Sequence, residues 1–242
     1  VKLAIAVPTY NEAKNIQKLL PALKKNLSGY PKLKTTVFVI DDNSPDGTAV
    51  IADDWATKNN VTNFKAITMR RVKKEGLGKA YVYAFNKILA QGYDYVLQMD
   101  ADLSHNPKYI PAFLDETTEA DFVVGSRYIK GGGTPDWSLK RKLLSRGGNF
   151  YTRFFLGSKI TDYTGGFNLY SADLLRKLDL GTLQSGGYGF LIVLKYRALQ
   201  ACHSVRQVPI VFMDRQHGNS KIPKNTLVKN LVLVPQIKFK KV

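Results

Sequence analysis

The chain has 242 residues, 44% hydrophobic and 11% aromatic. That is enough for one large domain burying roughly 70% of its unfolded surface, and it excludes a disordered tail protein. Thirty-six basic residues against nineteen acidic ones give a formal net charge of +17, which calls for an anionic partner without choosing among nucleic acid, a membrane surface and a phosphate-bearing substrate. A single cysteine, Cys202, excludes an internal disulfide. With no cationic-then-apolar leader and no apolar run near the ~20 residues that span a bilayer, a cytosolic or cytosol-facing chain is expected.

Along the first half, short apolar runs alternate with helical patterns at the spacing of βαβ units. Leu3–Val7 reads as a strand, and a helix follows over about Glu12 to Leu27 on the apolar positions Ile16, Leu19, Leu20, Leu23 and Leu27. Thr36–Ile40 is the second strand, after which Asp46-Gly47-Thr48 opens a helix. Phe64–Met69, Tyr95–Met99 and Phe122–Val124 are the third, fourth and fifth. Continuous apolar strands separated by helices predict a parallel sheet covered on both faces with right-handed crossovers. Further on, Trp137–Leu156 reads as a basic, aromatic-rich helix, Gly165-Gly166 as a turn, Tyr188–Gln200 as a helix and Val208–Met213 as a strand. No linker or repeat divides the chain. One domain over residues 1–222 is expected, with a basic amphipathic extension over 223–242.

Ligands of open α/β sheets sit beyond the carboxyl ends of the strands, and four polar clusters fall there. They are Pro8-Thr9-Tyr10-Asn11-Glu12, Asp41-Asp42-Asn43-Ser44, Asp100-Ala101-Asp102 and Ser126-Arg127-Tyr128. In extended backbone, residues i and i+2 point the same way, so Asp100 and Asp102 can share a hard cation such as Mg²⁺ or Mn²⁺, with a diphosphate completing its oxygens. The competing reading is a helix N-cap, because Ser104 and Pro107 resemble a helix start. Gly76-Leu77-Gly78-Lys79 suits a phosphate or is simply a turn; it has neither Walker nor Rossmann spacing.

From Arg127 to Lys159 eight basic residues face one acid, Asp136, and from Ile222 onward every charge is a lysine. Arg127, Arg141 and Ser145 form a candidate anion site, Arg141 and Ser145 sharing a helix face at i, i+4; a solvated basic face is the rival. Trp137, Phe150, Phe154 and Phe155 lie among these charges, and Leu227, Leu231 and Val234 repeat the pattern. Such stretches suit either a membrane interface or core packing. Arg215 and Lys221 are candidates for clamping a diphosphate, and the neighbouring His217 reads as merely polar. No catalytic triad or zinc spacing is present.

The motifs VPTYNE, IDDNSPDGT, GLGKAY, MDADLSHNP, GSRY, WSLKRKLLSRGGNF, TGGFNLYS and DRQHGNSK together resemble the polyprenyl (dolichyl) phosphate mannose synthases, family-2 glycosyltransferases of GT-A fold, over roughly residues 3–222. The resemblance implies a Rossmann-like, predominantly parallel sheet and inverting transfer of mannose from GDP-mannose to a polyprenyl phosphate, dependent on Mg²⁺ or Mn²⁺. It implies that Pro8, Tyr10, Glu12, Ile40 and Asp42 hold guanosine. Asp100, Ala101 and Asp102 would hold ribose, diphosphate and metal, with Ser104 near the metal where some relatives carry glutamine. Arg127, Arg215 and Lys221 would neutralise phosphates, and Arg127, Arg141 and Ser145 would receive the acceptor phosphate. Catalysis is expected to rest on Asp102, Arg127, Arg141 and Ser145, without a general base, since a phosphate monoester is largely ionised at neutral pH. A peripheral position on the cytosolic face follows (endoplasmic reticulum in a eukaryote, plasma membrane in a prokaryote), on an anionic membrane and with a possible anchoring subunit.

The chain departs from that pattern after GYGF, where Leu191-Ile192-Val193 stand in place of Gln, an apolar residue and Glu, and at Gly186, where a basic residue is usual. Another donor such as UDP-glucose, or a nucleotide-sugar binder with impaired turnover, therefore remains open. A nucleic-acid partner rests on charge alone, and the acidic rim argues against it.

Overall fold

A computed structural model describes residues 1–183, 188–214 and 226–240. Three parallel units open the chain: β1 (Lys2–Thr9), α1 (Ala13–Leu27), β2 (Lys34–Asp41), α2 (Thr48–Asn59), β3 (Phe64–Arg70) and α3 (Leu77–Leu89). Then come β4 (Tyr95–Gln98), α4 (Ile110–Asp115), β5 (Phe122–Ser126), α5 (Leu139–Leu156), β6 (Asn168–Ser171), α6 (Ala172–Lys177), α7 (Tyr188–Ala201), β7 (Val205–Pro209) and α8 (Thr226–Lys240). The described strands form one sheet in the order β3-β2-β1-β4-β6-β5-β7.

Alternation along β1 explains the two covered faces. Ala4 and Ala6 enter a core with Phe38, Tyr81, Phe85 and the apolar face of α7. Leu3, Ile5 and Val7 enter the other with Ile16, Leu19, Leu23 and Phe113, as a period of two requires. Each face buries several large side chains at about 1.5–3 kcal/mol apiece.

The expected parallel sheet is interrupted once. β6 runs antiparallel between β4 and β5, pairing Gln98 with Asn168 and Val124 with Asn168 from its other edge. Four residues behind a glycine pair are too short for a periodic signal. The strand expected at Val208–Met213 begins three residues earlier and ends at Pro209, because β7 is an edge strand whose Val205-Arg206-Gln207 stay partly solvated and carry little apolar pattern.

The chain leaves β1 toward β2 and β3 on one side, while β4 pairs with β1 on the other. The crevice at the carboxyl ends of β1 and β4 is thus a topological switch point, the place where such sheets take ligands.

Candidate active site

Three turns at this crevice hold a non-glycine residue at positive φ: Asn11 after β1 (55°), Asn43 after β2 (59°) and Leu103 after β4 (63°). Asparagine tolerates this region; for leucine it costs free energy that the surroundings must offset, a pattern that clusters at ligand sites.

The first two turns are tied by side chains. Asp41, almost wholly buried, accepts from Thr9 Oγ1 (3.1 Å), Ser44 N (2.9 Å) and Ser44 Oγ (2.6 Å). Ser44 Oγ and Thr48 Oγ1 then accept from the backbone of Asn11 (3.0 Å) and Glu12 (2.9 Å), and Asp46 accepts from Ala13 N at 3.0 Å. The sequence between β2 and α2 therefore braces the Tyr10–Glu12 turn, with Asp46 also receiving Thr48 N ahead of the left-handed Gly47 cap. Pro8 lies in register with Ile40, and Ile40 is wholly buried. The Lys74 ammonium lies 4.0 Å from the Tyr10 ring centroid.

Asp42 points into a buried ion pair with Arg71. Burial raises its carboxyl pKa while the guanidinium pulls the other way. Arg71 also bonds Glu75 at 2.9 Å, and Glu75 receives Lys79 at 3.1 Å. The cation of the Gly76–Lys79 stretch thus belongs to the Asp42 network.

At the end of β4 the helix-cap rival fails, because Asn106 caps the turn at Pro107 by accepting Lys108 N at 3.0 Å. Asp102 instead closes its own turn, its Oδ1 receiving Ser104 N (3.1 Å) and Ser104 Oγ (2.5 Å). Ala101 is buried, and the Asp100 side chain stays 39% exposed on the rim. Asp100 N donates to Nδ1 of His105 at 2.9 Å. That imidazole is stacked on Phe167, and burial pushes its pKa down to about 4, so it acts as a neutral acceptor that shapes the loop. The place a side chain on Gly166 would fill lies 3.6 Å from Asp100 Oδ1, 3.4 Å from the His105 ring and 3.8 Å from Leu191 Cδ1. Leu191, where the resemblance expects glutamine, is therefore an apolar neighbour of the Asp-x-Asp loop. Among the described residues no three His, Cys, Asp or Glu side chains form a metal cage. Two rim carboxylates with substrate phosphates for the remaining oxygens is a donor set magnesium and manganese accept, so the residues present fit such an ion.

Arg127, Arg141 and Ser145 do come together, around two aromatic rings. Arg127 lies 5.3 Å from both the Tyr128 and Trp137 centroids, Arg141 lies 4.0 Å from Trp137, and Ser145 Oγ is 2.6 Å from Tyr128 OH. Arg141 also pairs with Asp214 at 2.7 Å. A cavity of about 280 Å³ beside them is lined by Arg127, Tyr128, Arg146, Asn149 and Arg153. Outward from this cluster α5 exposes Phe150 (71%) and Phe154 (76%), whereas Trp137 is buried under the arginines. Phe155 packs against the core, as Val234 and Ile237 of α8 do within it; Leu231 and Phe239 stay exposed. Arg215, His217 and Lys221, and the side chain of Leu227, lie outside the described residues.

Sequence reasoning missed the partner of Arg127. Asp162, fully buried, takes its Nε and Nη2 at 2.7 Å each and its backbone N at 3.2 Å, and also accepts from Gly165 N at 3.0 Å. Burial alone would raise this carboxyl, but the Arg127 charge and these bonds outweigh it and hold it far below the usual range. The available signal was an acid immediately following the basic run. Arg71 was missed inside a charged stretch whose position after a strand end was its clue.

A mixed sheet with an Asp-x-Asp turn at the switch-point strand defines a protein of GT-A fold. The model of glycosyl transferase family 2 matches residues 4–179, and the chain belongs to that family. It is 37% identical over 222 residues to an undecaprenyl-phosphate mannosyltransferase of Micrococcus luteus, covering 92% of this chain and 88% of that protein. It is 38% identical over 219 residues to a polyprenol monophosphomannose synthase of Mycolicibacterium smegmatis, covering 90% and 80%. Among solved structures, mannosyl-3-phosphoglycerate synthase of Rubrobacter xylanophilus shares the fold at TM-score 0.65 and 19% identity, covering all of this chain and 76% of that one. A Pyrobaculum calidifontis mannosyltransferase in complex with GDP-Man and Mn²⁺ does so at 0.56 and 17%, covering 97% and 69%.

Proposed function

We propose that this chain transfers mannose from GDP-mannose to a polyprenyl (dolichyl-type) phosphate at a membrane surface, with inversion at C1 and release of GDP. The carrying observation is the side-by-side placement of an acidic strand-end rim and a basic, apolar-edged helix, which suits a nucleotide sugar on one side and a lipid phosphate on the other. The names of the two relatives 37% and 38% identical support this choice of sugar and acceptor.

On this reading Pro8, Tyr10, Glu12, Ile40 and Asp42 hold the guanosine portion, and Asp100, Ala101 and Asp102 face the ribose and diphosphate. Asp100 and Asp102, with Ser104 beside them, would hold Mg²⁺ or Mn²⁺, which when bound supplies charge neutralisation at the leaving diphosphate. Arg127, Arg215 and Lys221 add positive charge there, and Arg141 with Ser145 orients the acceptor phosphate beside Arg127. The acceptor oxygen is already ionised, so the residues act by alignment and charge stabilisation instead of proton removal. Residues 1–222 form the catalytic unit and 223–242 extend its membrane-facing edge, at the cytosolic face. No helix among the described residues is long and apolar enough to cross a membrane, and a separate anchoring subunit is compatible with this arrangement.

Purified protein with GDP-mannose, Mg²⁺ or Mn²⁺ and a short polyprenyl phosphate should yield mannosyl lipid by mass spectrometry. Asp102→Ala should lower turnover by about 10²–10³-fold, the loss typical of a group acting on transition-state charge. Absence of product with either ion would refute the proposal. A second reading, nucleotide-sugar binding with weak or no transfer or with a UDP-sugar, is favoured by the apolar Leu191 beside Asp100. Thermal-shift competition between GDP and UDP separates the donors, and Leu191→Gln with Val193→Glu should then restore transfer.

A further inference from the structure

The buried hydrophobic side chains of α7 are Phe190, Leu191, Ile192, Val193, Leu194, Ala198 and Leu199, with one charge among them, Lys195, which is fully buried. Among the described residues its ammonium makes a single hydrogen bond, to the Asp162 carbonyl oxygen at 2.6 Å. A buried ammonium with one partner is costly, and this one stands against the residue whose carboxylate fixes Arg127.

We propose that Lys195 is a positioning residue that couples proton uptake to the binding of an anionic phosphate group at Arg127. This rests on the reading that Arg127 faces a substrate phosphate. The groups around Lys195 are the Asp162 carboxylate, the Arg127 guanidinium and the imidazole of His105, with Tyr163 next in the same loop and Tyr81 on α3 against Phe190. With Lys195 protonated, two cations lie in the field of one carboxylate, which is ion-paired to Arg127 alone, and the cluster carries an excess positive charge. With Lys195 neutral the charges cancel. An incoming phosphate adds negative charge on the Arg127 side and therefore stabilises the protonated form, so the proton comes from solvent as the phosphate binds; by linkage, phosphate binding strengthens as pH falls. Burial lowers the Lys195 pKa to about 7 in the unliganded protein, which places the equilibrium where a modest field moves it.

Two measurements test this. In the unliganded protein the unfolded chain binds the Lys195 proton up to its ordinary pKa while the folded chain releases it from about 7. Stability should therefore rise with pH above that point, and the cost of the buried charge should be full below it. Lys195→Met should melt higher than wild type at about pH 6, with the gap closing toward about pH 10; an unchanged gap overturns the proposal. In calorimetric titration with GDP and Mg²⁺ at about pH 8, repeated in two buffers of different ionisation enthalpy, wild type should take up a proton in excess of that taken up by Lys195→Met. Wild type alone suffices should the variant fail to fold, because uptake should vanish at about pH 6, where Lys195 is already charged. Equal uptake in both proteins, or wild-type uptake independent of pH, overturns the coupling. Failure of wild type to bind GDP overturns the donor reading and the coupling with it, whatever the melting curves show.

Discussion

The two sides of the crevice are held by different physics. On the side of β1, β2 and β4, short turns are locked by carboxylates and hydroxyls, Asp41 and Thr48 among them buried: Asp41, Ser44, Asp46 and Thr48 each bond a neighbouring turn. On the α5 side, cations and rings project from one long helix, and Leu139, Leu143, Phe150 and Phe154 face solvent. The first is preorganised for a small polar ligand whose every contact must be placed, which is how positioning lowers a barrier. The second is a surface whose apolar edge stays exposed among the described residues, the pattern of an interaction face. Arg127 stands at the junction, reached from β5 and held by Asp162.

The largest break in this arrangement is at that junction. Asp162→Asn leaves Arg127 buried without its counter-charge, a change that costs about 3–5 kcal/mol and should lower the melting temperature by about 10 °C, followed by scanning calorimetry. Because the carboxyl titrates far below the usual range, its contribution is present at neutral pH and is lost only as the solution becomes strongly acidic, below the unfolded-state value. If Asp162→Asn melted like wild type, the junction would be no stiffer than the exposed helix face.

The two sides differ again in how membranes should act on them. Phe150→Ser with Phe154→Ser should weaken binding to anionic vesicles by about a hundredfold, given roughly 1.5–3 kcal/mol for each ring fully transferred from water. Turnover of a water-soluble short-chain acceptor should stay near wild type. A similar loss with both acceptors would mean that the rings serve the fold and not an interface.

The same contrast decides what was legible in the sequence. The strand-end rim was readable because its residues sit in local motifs, polar clusters that directly follow the apolar runs of β1, β2 and β4. The shared direction expected of Asp100 and Asp102 assumed extended backbone, whereas the chain bends from Ala101 onward and Leu103 is left-handed. What escaped is non-local. Asp162 reaches Arg127 across 35 residues, and Lys195 meets it across 33; no local periodicity encodes either contact. β6 escaped because its direction is set by the strands it lies between. On α5 the helix was legible as a basic, aromatic-rich stretch, but the division of its aromatics was not. Phe150 and Phe154 point outward while Phe155 turns to the core, a matter of where α8 packs, with Tyr151 OH bonding Leu231 O at 2.8 Å.

The smallest expected effect sharpens the comparison most, because it separates long-range charge from contact. Lys140 and Lys142 sit on the first turn of α5, between Leu139 and Leu143 in sequence. A lysine near an anionic leaflet contributes about 1 kcal/mol, and the contribution decays within a Debye length of about 8 Å at physiological salt. Lys140→Gln and Lys142→Gln should each weaken vesicle binding about fivefold at low salt, with the loss shrinking as salt is added. The aromatic variants should lose binding at every salt concentration. The β2–β3 side offers the internal control: Arg70 and Asp53 form an exposed ion pair on β3 and α2, and Arg70→Gln should shift neither vesicle binding nor stability by more than about 0.5 kcal/mol. Equal losses from Arg70→Gln and Lys142→Gln would show that net charge, and not the α5 surface, brings the protein to the membrane.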